Sequence, residues 1–80
     1  MNTYICTLGL PDGKKIVAKA RANSLDDEVE IEWSGATDRL GQIVLGTHSV
    51  GFLRWYLEGR AQQLQGRFEF KNENGSEATM

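Results

Sequence analysis

Nucleophilic chemistry needs a nucleophile with a base in reach, and this sequence holds one cysteine, Cys6, and one histidine, His48. Cys6 alternates with Tyr4 and Leu8, the pattern of a residue turned into a core. A Cys6–His48 dyad is therefore the weaker reading and a buried structural thiol the stronger. A lone cysteine also supports neither an internal disulfide nor a multi-cysteine zinc site. Glu28, Glu30 and Glu32 form a row with carboxylates about 7 Å apart on one strand face, which is no dry pocket for a paired-carboxylate hydrolase. Asp26-Asp27-Glu28 lacks the alternating ligands and the glycine of a calcium loop, and Gly41 to Gly46 lacks the lysine of a phosphate cradle. The expectation is a protein without catalytic residues, metal or cofactor.

A second group of residues points to binding. Val50 to Leu64 is expected to be helical, with Thr47 or Ser49 as its cap and Gly66 as its end. At about 100° per residue, Val50, Leu53, Leu57, Ala61 and Leu64 share one stripe. Phe52 and Trp55 fall to one side of it with Gly59 between them, and Tyr56 bridges the two. An aromatic patch centred on a glycine notch, with Arg54 and Arg60 farther round, has the residue types that dominate protein–protein contacts. The bland alternative is that another part of the chain covers it.

The elements that must hold these residues read as follows. Thr3 to Leu8 alternates and runs into Leu10-Pro11-Asp12-Gly13, a turn leading to a second alternating strand over Lys14 to Ala22. Glu28 to Trp33 is a third strand, with Val29, Ile31 and Trp33 facing inward. Arg39 to Leu45 is read as a fourth strand and Arg67 to Lys71 as the last, with Phe68 and Phe70 inward. The result is an α+β fold of order β-β-β-(β)-α-β, a small antiparallel sheet of four to five strands with one helix on one face. Residues 1–71 form one domain and 72–80 a frayed tail.

The 80 residues carry a net charge of −2 with 25% charged side chains, but the signs come in blocks. Lys14, Lys15, Lys19 and Arg21 against Asp12 give +3 over residues 1–22. Asp26, Asp27, Glu28, Glu30, Glu32 and Asp38 give −6 over 23–38, and residues 39–71 return to +3. Folding the third strand on the second in the register whose residue numbers sum to 49 would set Glu28 against Arg21 and Glu30 against Lys19, neutralising both strands. The acidic neighbour and the acidic balance argue against nucleic acid as the partner of Lys15, Lys19 and Arg21. Apolar runs are far shorter than the roughly 20 residues of a membrane span, and no leader follows Met1, so the chain is expected to be soluble and cytoplasmic.

Together these features predict a non-enzymatic protein-binding domain. By analogy only, a chain of this size with no catalytic set is similar to the accessory proteins of phages and mobile elements, including inhibitors of the anti-CRISPR type that act by contact with a host complex. The alternative is a small homodimeric regulatory or nucleic-acid-associated protein.

Overall fold

The computed structural model describes residues 2–40 and 46–72. Strands β1 (Asn2–Gly9) and β2 (Lys15–Ala22) form the expected hairpin, with Cys6 opposite Ala18 and Leu8 opposite Ile16. Its turn closes as the Pro-Asp-Gly chemistry requires. Gly13 N donates to Leu10 O at 3.0 Å, Leu10 N to Lys14 O at 2.8 Å, and Lys14 N to Asp12 Oδ1 at 3.0 Å. Arg39 Nη2 completes the corner by donating to Asp12 Oδ2 at 2.7 Å. The Lys14 amide first, and the Arg39 guanidinium after it, hold the Asp12 carboxyl below the usual carboxylate range.

After β3 (Glu28–Glu30) and β4 (Glu32–Gly35), a 3-10 turn (Thr37–Arg39) and β5 (Thr47–Ser49) lead into α1 (Val50–Leu64) and β6 (Arg67–Asn72). The fold is α+β: one antiparallel sheet in the order β4-β2-β1-β6, a second small sheet of β3 and β5, and one helix packed against them. The alternating faces fall as the sequence predicts. Tyr4, Cys6, Leu8, Ile16, Ala18, Ala20 and Ala22 are buried, together with Val50, Leu53, Leu57 and Ala61 of the helix. Phe68 and Phe70 pack half-buried against this core, Phe70 stacked on Tyr4 at 5.9 Å between ring centres.

Three expectations are corrected. The third strand divides at Ile31, which is buried and donates its N–H to Gly46 O at 3.2 Å. Glu28 and Glu30 therefore pair with Ser49 and Thr47 on β5 and not with Arg21 and Lys19, although β3 stays in contact with β2. Only β4 follows β2, two residues out of the expected register, so that Lys19 faces Glu32 and Ala18 faces Trp33. A slip of two keeps every side chain on its predicted face. Secondly, Arg39 closes the 3-10 turn instead of opening a strand; residues 41–45 of the expected fourth strand lie outside the described residues. Thirdly, Asn72 belongs to β6, opposite Tyr4, and not to the tail expected over 72–80, whose other residues lie outside the described ones.

Two glycines fix how closely the strands can approach. Gly35 has φ +87°, and a Cβ there would run into Lys15 O, the carbonyl that accepts from Ala36 N at 2.8 Å. This contact sets the β2–β4 register. The residue that ends α1 in the left-handed conformation is Gln65, with φ 58°, while Gly66 N donates to Ala61 O at 2.7 Å. Gly66 is needed for a different reason than the helix stop expected of it: a Cβ would collide with Gly9 O as the chain turns onto β1.

Gly59, in contrast, has nothing within 4 Å of where a Cβ would stand. Gly35→Ala is therefore expected to lower stability by about 2 kcal/mol or more, through positive-φ strain and collision. Gly59→Ala should raise it by about 0.5 to 1 kcal/mol through helix propensity. Urea unfolding followed by circular dichroism measures both.

Candidate protein-binding surface

The helix is set in azimuth by its apolar stripe and in position by its cap. Ser49 Oγ accepts from Phe52 N at 3.1 Å, satisfying one of the free amides of the first turn. Gly51 N donates to Leu25 O at 3.0 Å, tying the β2–β3 loop to the same end. With Val50, Leu53, Leu57 and Ala61 buried, the flank carrying Phe52, Trp55, Tyr56 and Gly59 is turned away from the sheet.

That flank is an aromatic cluster. Phe52 stacks on His48 at 4.7 Å and on Tyr56 at 5.8 Å, with interplanar angles of 21° and 14°, and meets Trp55 in a tilted contact at 6.0 Å. Phe52 and Tyr56 are half-buried and reach the core, but Trp55 is 70% exposed. Beside it lies a depression of about 260 Å³ lined by Trp55, Tyr56, Gly59, Arg60 and Gln63. The fold gives no packing reason for glycine at 59, where its open Cβ position makes the notch.

The structure separates the two arginines assigned to this surface. Arg60 forms its wall, held by donation from Nη1 to Gln63 Oε1 at 2.6 Å and from Nη2 to Arg39 O at 2.9 Å. Arg54 lies instead over the Phe70 ring of β6, its guanidinium carbon 5.0 Å from the ring centre, a cation–π contact that removes it from the patch. His48 is the member that the sequence reading placed elsewhere; its four-residue spacing from Phe52 across the cap was the available signal.

The charged residues singled out by sequence also part company. Lys15, Lys19 and Arg21 point from β2 to the sheet face opposite the helix, where Glu32 is the nearest cross-strand acid. Glu28 and Glu30 lie on β3, which is paired with β5 and touches β2 without joining its ladder. Among the described residues the one ion pair is Arg39–Asp12.

Cys6 lies in the sheet core, and burial pushes its thiol up to about 12, so it is protonated at neutral pH. No hydrogen bond joins it to His48, whose buried Nε2 has no hydrogen-bond partner among the described residues. Among the described residues no three His, Cys, Asp or Glu side chains are grouped to hold a metal ion, and no helix is long and apolar enough to cross a membrane. Comparison with protein-family models, with curated proteins and with solved structures gives no match.

The raised thiol makes a prediction of definite sign. The native state keeps a proton that the unfolded chain loses above about 9, so Cys6 contributes stability below that pH and loses it as pH rises toward about 12. The pH-dependent fall in urea midpoint over that window should be shallower in Cys6→Ala. Iodoacetamide at neutral pH should leave Cys6 unmodified in the folded protein and alkylate it in urea.

Proposed function

We propose that this domain is a protein-binding module whose contact surface is the α1 flank of Phe52, Trp55, Tyr56 and Gly59, acting without catalysis. The observation that carries the reading is the 70% exposure of Trp55 beside the depression at Gly59. A single exposed apolar side chain is ordinary, but Trp55 continues the aromatic cluster of Phe52 and Tyr56. Contiguous apolar surface of this kind marks contact sites, where tryptophan, tyrosine and arginine are enriched among the residues that carry binding energy. Rigidity supports the same reading. Phe52 and Tyr56 brace the flank from within and Arg60 is pinned to the 3-10 turn, so little ordering would be required on binding. The narrower proposal, an accessory inhibitor acting on a host complex, is a form of this one, made by analogy with small proteins that lack a catalytic set.

The test pairs stability with binding. Partners retained from a source-cell lysate by the wild-type chain are identified, and their affinities measured for Trp55→Ala and Gly59→Leu. Trp55→Ala should leave the melting temperature nearly unchanged and weaken binding by about 2 kcal/mol or more, roughly 30-fold. Gly59→Leu should weaken binding by filling the notch while leaving the helix at least as stable. A large drop in melting temperature for Trp55→Ala, or wild-type affinity in both variants, would remove this surface from the function.

A further inference from the structure

Because β3 pairs with β5, Glu28 and Glu30 stand outside the ladder of the basic strand, although β3 still touches β2. Glu32 is the acid that the ladder sets opposite a β2 cation on the sheet face away from α1. Lys15, Lys19, Arg21, Arg67 and Lys71 stand on it against Glu32 and Glu69, giving +3 in a chain whose total is −2. None of these seven groups takes part in an ion pair among the described residues. We propose that this open face is a second docking surface, for an acidic segment of a partner protein; the proposal rests on the reading of the domain as a protein-binding module.

The registers define its layout. Lys19, Ile5 and Lys71 lie in one row across β2, β1 and β6, and Lys15, Gly9 and Arg67 in another. Each row separates two cations by two strand spacings, about 10 Å, and four residues of strand separate the rows, about 13 Å. Four cations thus stand at the corners of a rectangle floored by Ile5, Thr7, Val17 and Gly9. At the Gly9 edge the absent side chain leaves a depression of about 170 Å³ lined by Thr7, Gly9, Lys15, Arg67 and Glu69. Carboxylates of an extended segment laid along β1 can reach the corner cations on either side while its small or aliphatic side chains rest on Ile5 and Thr7.

The same layout disfavours a nucleic acid. Every aromatic side chain of the sheet lies on the other face: Tyr4, Phe68 and Phe70 share the buried phase of their strands, and Trp33 stands opposite buried Ala18. The open face therefore has no stacking platform for bases. Glu69, set between Arg67 and Lys71, places a like charge where a regular phosphate ladder would run.

Fluorescence anisotropy with three labelled probes tests the proposal: a dodecapeptide alternating Glu and Thr, its Gln-Thr counterpart, and a short DNA duplex. The Glu-Thr peptide is expected to bind, the Gln-Thr peptide not, and the affinity should fall at least about tenfold between low and physiological salt. Lys15→Gln/Arg67→Gln should reduce it by a further factor of about ten with circular dichroism and melting unchanged, because both side chains are exposed. Trp55→Ala should bind the peptide as the wild type does, so failure of the helix surface and failure of this one give different results. Absence of binding, equal binding of both peptides, tighter binding of the duplex, or wild-type affinity in Lys15→Gln/Arg67→Gln would each overturn the proposal.

Discussion

The seam between α1 and the β1–β2 hairpin is the interaction on which the remaining structure depends. Leu8 and Ile16 from the hairpin and Val50, Leu53 and Leu57 from the helix are completely buried there, each such side chain contributing on the order of 1.5 to 3 kcal/mol. In an 80-residue chain the net margin is small, so loss of one of these contacts removes a large share of it. Ala18, Ala20 and Ala22 keep their part of the sheet low beneath the elements that cover it. Because a single described helix covers one side of the four-stranded sheet, the seam decides two other things. It turns Trp55 outward, and it leaves the odd-numbered residues of β1 and β2 on an open face.

The two outward surfaces differ in chemistry for reasons that trace to backbone geometry. The helix flank is apolar and braced by ring stacking, with a notch where Gly59 has no neighbour. The sheet face is cationic because Gly35 locks β4 to Lys15 in a register that brings a single acid, Glu32, beside β2, while Ile31 is drawn toward Gly46 and carries the remaining strand glutamates into the small sheet. Gly35 and Gly66 are explained by close backbone approaches within the fold, and Gly59 is not. That contrast sets the helix flank apart from the rest of the fold.

Much of this was readable from the sequence because it is local. The helix runs from Val50 to Leu64 as its periodicity requires, and Leu10-Pro11-Asp12-Gly13 closes the hairpin by its own turn chemistry. Alternation told correctly which face each strand residue takes, Ile31 included. It could not tell which neighbour a strand chooses, since the pattern over Glu28 to Trp33 is the same whether that segment pairs with β2 throughout or divides between two sheets. That choice was made by long-range contacts to Gly46 and Lys15. The exposure of Trp55 followed from the helical wheel, whereas the fates of Arg54 and Arg60 did not. Long flexible side chains take the partners that tertiary structure brings near, here the Phe70 ring and the Arg39 carbonyl.

The central claim is that the Trp55 flank of α1 faces solvent in the free protein and is available to a partner. Of the two tryptophans, Trp33 packs half-buried against the core, so Trp33→Phe leaves Trp55 as the sole indole reporter. Its fluorescence emission and acrylamide quenching, measured on the folded variant, test the claim most directly. The account requires red-shifted emission, quenched nearly as efficiently as in the urea-unfolded chain. Blue-shifted emission protected from acrylamide would show that the chain itself covers the flank, and would contradict the account.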